Sequence, residues 1–311
     1  MVEKPSKSLP YFAVATAVLT WLLILVGGIV HGTGSSLACP DWPTCYGSFF
    51  PEMKGGIFFE HSHRLVAATV GLLTIVLCIL LLRQKDRGLR KAGFLAVALV
   101  IFQGLLGGLT VIYRLPTAVS TAHLATSMLF LLLLVYIAYR AFGPRLPEAA
   151  LGKAKPWVLG TLALVYFQIV LGGLVRHTGA GLACLDIPLC QGSLWPAGAP
   201  PILQVHMLHR LSGIVVGLAV FAAAWRVARL DPKLRLLAGL APLLVLVQIG
   251  LGLWSVHSAL GLFPVTAHLG VGALLLVVIF LIYLNAARAR AWEGAGAAAS
   301  ASAALRASPA A

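Results

Sequence analysis

Eight runs of apolar residues alternate with shorter polar segments along the chain, near 11–30, 64–82, 94–113, 120–141, 156–176, 207–228, 235–257 and 265–286. A helix of about 20 residues rises about 30 Å, the thickness of a hydrocarbon core. The pattern therefore predicts an all-α polytopic membrane protein with eight transmembrane helices. The first run is longer than the ~7–15 apolar residues of a signal peptide. Ser36-Leu37-Ala38-Cys39 is faintly like a lipoprotein cleavage site, but Leu182-Ala183-Cys184 repeats it deep in the chain. The first run is read as a retained anchor.

The polar segments repeat. At an offset of 145 residues, Gly27-Gly28-Ile29-Val30 becomes Gly172-Gly173-Leu174-Val175, and Cys39, Asp41, Pro43 and Cys45 become Cys184, Asp186, Pro188 and Cys190. Gln103 maps to Gln248, and Thr121-Ala122-His123-Leu124 to Thr266-Ala267-His268-Leu269. One inserted residue makes the step 146 between His63 and His209. Four spans per half give both copies the same orientation, so the expected architecture is two tandem pseudo-symmetric four-helix bundles. Residues 1–145 form the N-terminal half and 146–290 the C-terminal half, joined by the linker 143–155. An Ala/Ser/Gly-rich stretch over 291–311 is expected to be a disordered cytoplasmic tail.

Composition sharpens this picture in one respect. With 60% hydrophobic and 10% charged residues the chain is not a soluble domain. Its net charge of +14 suggests nucleic acid, but eighteen of the 23 Lys and Arg fall on one side of the predicted topology. Lys54, Arg64, Arg114, Arg176 and Arg210 make up the other side. Positive charge gathers in cytoplasmic loops, so both termini are placed in the cytoplasm, the lipid bilayer is the partner and no nucleic acid is expected.

The candidate chemistry lies on the opposite, outer side. All nine histidines fall there. His63 and His123 open spans that run in the same direction, so their side chains share a depth and can face each other; His209 and His268 repeat the arrangement. Two imidazoles in an apolar four-helix cage, with no thiolate or carboxylate cluster to complete a zinc or copper site, suit a haem iron whose porphyrin supplies four more nitrogens. Interhelical hydrogen bonding is the plainer alternative. His31, His61, His177, His206 and His257 lack a histidine at the repeated position and read as solvated or hydrogen-bonded.

Glu60 has His206 as its counterpart, so only one half carries a carboxylate a turn before the ligand histidine. It is read either as aimed at whatever His63 binds or as stabilising a helix N-terminus. Arg64 and Arg210 suit haem propionates and equally suit snorkelling to the interface. Cys39 with Cys45, and Cys184 with Cys190, are expected as disulfides on an oxidising side, as structural clasps or as redox groups. Cys78 is expected as an apolar filler. A Gln four residues before a Gly recurs at Gln103, Gln168 and Gln248, and suits close helix packing.

Together, Glu60-His61-Ser62-His63-Arg64, Leu208-His209-Arg210, the two Thr-Ala-His-Leu motifs and Cys39-Pro40-Asp41-Trp42-Pro43 resemble the haem A synthase family over about residues 10–290. The chain departs from that pattern at His31-Gly32, where an arginine as at Arg176 is expected. The resemblance implies an oxidoreductase of haem A biosynthesis in the cell membrane, oxidising the C8 methyl of haem O to a formyl group by successive hydroxylations. It implies His63 and His123 as axial ligands of substrate haem O, His209 and His268 as ligands of a bound haem b, and Glu60 as the catalytic group. A quinone-pool electron partner and haem O synthase are compatible partners. The competing class is a non-catalytic di-haem b electron carrier.

Overall fold

The computed structural model describes residues 8–143 and 148–289 in full and the backbone alone of 290–307. Eight long helices follow one another: α1 (Leu9–Gly32), α2 (Gly55–Leu82), α3 (Arg87–Ile112), α4 (Thr117–Phe142), α5 (Lys155–His177), α6 (Pro201–Leu230), α7 (Arg235–His257) and α8 (Leu262–Ala307). All eight are long and apolar enough to cross a membrane. Among the described residues, the only β pairing is two isolated bridges, Cys45 with Ser48 and Cys190 with Ser193. This is an all-helical, multi-pass membrane protein. The boundary expected at 145/146 lies among residues 144–147, outside the described residues; the tail expected over 291–311 lies outside the fully described ones.

Helices α2 and α6 start earlier than hydropathy predicts, at Gly55 and Pro201. Proline suits the first turn of a helix, where its missing N–H has no partner to lose. Gly56 lies so close to the preceding loop that an added Cβ would sit 2.9 Å from that of Ala38. The polar cluster 60–64 therefore lies inside α2 and not at its tip.

Contacts close two rings, α1–α2–α3–α4 and α5–α6–α7–α8, and join them along α1 with α8 and α4 with α5 and α8. Glycines set the spacing of that seam. A Cβ on Gly28 would lie 3.1 Å from Leu269, and one on Gly173 would lie 2.6 Å from Leu124. These contacts are related by the 145-residue offset. The offset also recurs in the backbone: Tyr46 and Gln191, Arg114 and Ala259, and Leu115 and Leu260 all have positive φ. Leu77, Leu134 and Leu276 are fully buried in the core, whereas Leu72 and Leu218 are 62% and 68% exposed. Large apolar side chains on the outside match a lipid surround.

Candidate functional site

Four imidazoles lie at the end of the bundle where α2, α4, α6 and α8 begin. Each rests against a glycine of the preceding helix. A Cβ built on Gly27 would meet His63 Nε2 at 3.2 Å, one on Gly107 would meet His123 Cε1 at 3.4 Å, one on Gly172 would meet His209 Cε1 at 3.0 Å and one on Gly252 would meet His268 Cε1 at 3.3 Å. A side chain at these positions would crowd the ring, most closely at Gly172. The Gln-x-x-x-Gly motif, read from sequence as helix packing, thus also seats a side chain.

In the C-terminal half the His209 and His268 rings face each other with centroids 6.5 Å apart and planes at 72°. That is too far for a hydrogen bond between the rings, and leaves room for one atom held at about 2 Å by a nitrogen from each side. His63 and His123 are electrostatic neighbours in the N-terminal half. Among the described residues, no three His, Cys, Asp or Glu side chains converge on a possible metal position. The donor set is two imidazoles per site.

Three of the four rings are oriented through Nδ1. His268 Nδ1 lies 3.1 Å from the Gln248 carbonyl, which can only accept, so the proton sits on Nδ1 and Nε2 keeps its lone pair. The Gln168 amide lies 3.1 Å from His209 Nδ1 and in turn binds Ser212. The Gln103 amide lies 3.1 Å from His123 Nδ1. Donation from Nδ1 to a carbonyl, as at His268, is the usual arrangement of a metal ligand; at His209 and His123 the glutamine amide nitrogen is instead the donor. His63 is the exception, with no hydrogen bond among the described residues.

Glu60 is 4% exposed. It does not cap α2: the N-cap is Lys54, six residues earlier. Its Oε1 accepts from Arg64 Nη2 at 2.5 Å, and its Oε2 accepts the Cys39 backbone N–H at 2.8 Å. Arg64 also donates to the carbonyls of Asp41 (2.8 Å), Thr44 (2.5 Å) and Cys39 (3.4 Å). Arg210 repeats this on the carbonyls of Asp186 (2.7 Å), Leu189 (3.1 Å) and Cys184, with His206 in place of the acid, 3.1 Å from Arg210 Nε. The terminal nitrogens of both arginines thus bind loop carbonyls, with Glu60 as a further partner of Arg64.

Both loops are closed by disulfides, Cys39–Cys45 and Cys184–Cys190. Cys78 is free and buried against Gly93. Asp41 staples its own loop, accepting from Thr44 Oγ1 (2.5 Å), Gly47 N–H (2.9 Å) and Tyr46 N–H (2.6 Å). These bonds, the Thr44 hydroxyl first, hold its carboxyl at about 2, below the ordinary 3.8.

The remaining histidines serve the architecture. His61 Nε2 lies 3.1 Å from the Phe49 carbonyl. His31 and His177 meet edge to face at 5.4 Å across the seam, and His177 Nδ1 lies 3.0 Å from Thr121 Oγ1. His257 ends α7. Sequence reasoning missed Trp42 as a site residue. Its indole lies on Gly108, where a Cβ would come within 2.8 Å of the ring, one residue beyond the glycine that seats His123. The signal was present: the repeat replaces both partners together, with Ile187 for Trp42 and Leu253 for Gly108.

Fold and site thus define a polytopic membrane protein with one facing pair of imidazoles, His209 and His268, and a carboxylate ion-paired one turn from His63. The donor set of two imidazoles suits an iron whose macrocycle would supply the other ligands. The chain matches the COX15-CtaA model, described as cytochrome oxidase assembly protein, over residues 10–57 and 52–280, and belongs to that family. It is 31% identical over 273 residues to a protein of Halalkalibacterium halodurans named haem A synthase, covering 84% of this chain and 91% of that one. A haem A synthase of Geobacillus kaustophilus is 33% identical over 281 residues (84% and 86%), and one of Shouchella clausii is 33% identical over 259 (79% and 86%).

Proposed function

We propose that the chain is a haem A synthase, an oxidoreductase that acts on a C–H group and converts the C8 methyl of haem O to a formyl group. Two hydroxylations, each a two-electron oxidation that inserts one oxygen atom at the expense of an external oxidant, take CH3 to CH2OH and then to CH(OH)2, which loses water to give CHO. His63 and His123 hold the iron of substrate haem O. His209 and His268 hold haem b, which when bound supplies one-electron redox chemistry. Glu60 presents a carboxylate one turn from His63, where it receives a proton or balances charge near the reacting methyl. Loop 39–45, tied to Glu60 and Arg64, fixes that carboxylate in place.

The observation that carries this reading is the asymmetry of two otherwise repeated sites: Glu60 with Arg64 in one half, His206 with Arg210 in the other. A di-haem electron carrier would need the acid only to hold the 39–45 loop, work that His206 and Arg210 do without a carboxylate in the other half. The disulfide loops support an oxidising outer location for the sites, and the basic loops on the other side support cytoplasmic termini. A quinone-pool electron partner and haem O synthase are the neighbours this reading implies. Chromatography of pigments from cells carrying Glu60→Ala tests it: loss of haem A with haem b retained supports the enzyme, and unchanged haem A overturns it.

A further inference from the structure

The seam between the halves opens at the end of the bundle opposite the histidines. There α1, α4 and α8 part around a groove of about 380 Å³. Its floor is Ala17, Leu131 and Ala138, all buried, and its rim includes the exposed Val18 and Leu274. It runs about 10 Å along α1, from Val14 to Trp21. Small floor residues leave this space, as the repeat shows. At the 145-residue offset Ala17 becomes Leu162 and Ala138 becomes Tyr283, both packed against the core. The related place on the other side of the seam thus carries bulk where the groove carries none.

The one polar lining residue is Tyr139. Its hydroxyl donates to Asn285 Oδ1 at 3.2 Å and accepts from Arg288, both on α8 beyond the groove. Arg140, the second guanidinium near Tyr139, is engaged by Asp86 at 2.6 Å. None of the ion pairs among the described residues includes Arg288. A guanidinium without a carboxylate therefore stands at the mouth of an apolar trough. Arginine binds phosphate through paired N–H donors, and basic pockets between membrane helices take anionic lipid head groups. Hydrocarbon, not water, surrounds the trough itself.

We propose that this groove is a binding site for one anionic phospholipid. A hydrocarbon chain lies along α1 with its end toward Trp21, and the phosphate is held by Arg288 beside Tyr139. The site is separate from the haem chemistry and does not depend on it. Its walls come from both halves, so the lipid completes the seam that Gly28 closes against Leu269 at the histidine end. Ala17 and Ala138 admit the chain, and Arg288 selects the charge of the head group.

Mass spectrometry of retained lipid tests this. The full-length protein is reconstituted in vesicles of dioleoyl phosphatidylcholine and dioleoyl phosphatidylglycerol in equal parts, then extracted into dodecyl maltoside and washed. One phosphatidylglycerol per chain should remain, in preference to phosphatidylcholine. Arg288→Gln should lower the retained phosphatidylglycerol at least ~10-fold. Arg229→Gln, which removes an exposed arginine stacked on Trp225 at the same end, should leave it unchanged. Ala17→Leu with Ala138→Tyr, which copies the filled side, should abolish retention; Arg288→Gln carries the test alone if that protein does not accumulate. Both lipids retained alike, no lipid retained, retention unmoved by Arg288→Gln, or equal loss in the Arg288 and Arg229 variants overturns the inference. So does a lipid-free dimer that the groove-filling pair dissociates, since a second copy of the chain would then be the occupant.

Discussion

Glu60 and Arg64 stand one turn apart on α2, joined at 2.5 Å, and together they hold four backbone groups of the 39–45 loop. The pair is buried, with side chains 5% and 13% exposed. A catalytic candidate and a loop anchor are therefore one unit, and changes to either residue reach both functions.

Glu60→Gln keeps an acceptor for the Cys39 N–H but removes the charge. It should lower haem A formation about 100-fold or more while leaving haem b at His209 and His268. Glu60→Ala also strands the Arg64 guanidinium, at about 3–5 kcal/mol for a broken buried pair. Thermal unfolding in detergent should separate the two variants, with the alanine protein melting lower.

Gly172 touches His209 Cε1 closely enough that valine has no place for its side chain. Gly172→Val should empty the C-terminal site, dropping the tetrapyrrole content by one per chain. Gly160→Val is the control, since an added Cβ there meets nothing within 4 Å. Equal content in both proteins would contradict the seating role of Gly172.

Asp41 titrates at about 2, below its ordinary 3.8, because the Thr44 hydroxyl and then the Gly47 and Tyr46 amides bind the charged form. A lowered folded value stabilises above the unfolded one, so the staple is complete above pH 3.8 and is lost as pH falls through about 2. Hydrogen exchange at the Tyr46 and Gly47 amides should show protection retained at pH 3. Asp41→Ala should remove that protection at every pH.

Trp42 fills the notch at Gly108, next to the glycine that seats His123. Gly108→Val should displace the indole and disturb only the N-terminal site. The expected result is weaker haem O binding in a Soret titration, with haem b content unchanged. Loss of haem b to the same extent would mean that Trp42 supports the whole fold.

The spans, the repeat and the facing pair His209 and His268 were legible because each is written locally, in hydropathy, spacing or identity at a fixed offset. The starts of α2 and α6 were not. Glycine and proline are weak helix formers, yet packing of Gly56 against Ala38 and the tolerance of proline in a first turn allow helix at Gly55-Gly56 and Pro201. The partners of Arg64 and Arg210 were also hidden. Backbone carbonyls carry no residue identity, so a side chain that binds Asp41, Thr44 and Cys39 through their main chain leaves no trace in the pattern. His31 and His177 lack a histidine at the repeated position, so their meeting across the seam is invisible in the pattern of the repeat.

The seam has a consequence for how the molecule is made. Trp21 of α1 donates its indole N–H to the Gly270 carbonyl of α8 at 3.0 Å, across 249 residues of chain. During synthesis the earliest span emerges long before its mate exists, so its small-residue face must wait in lipid until translation is nearly finished. Each ring closes on its own four helices, but the joint between the first span and the last waits until the whole chain is made.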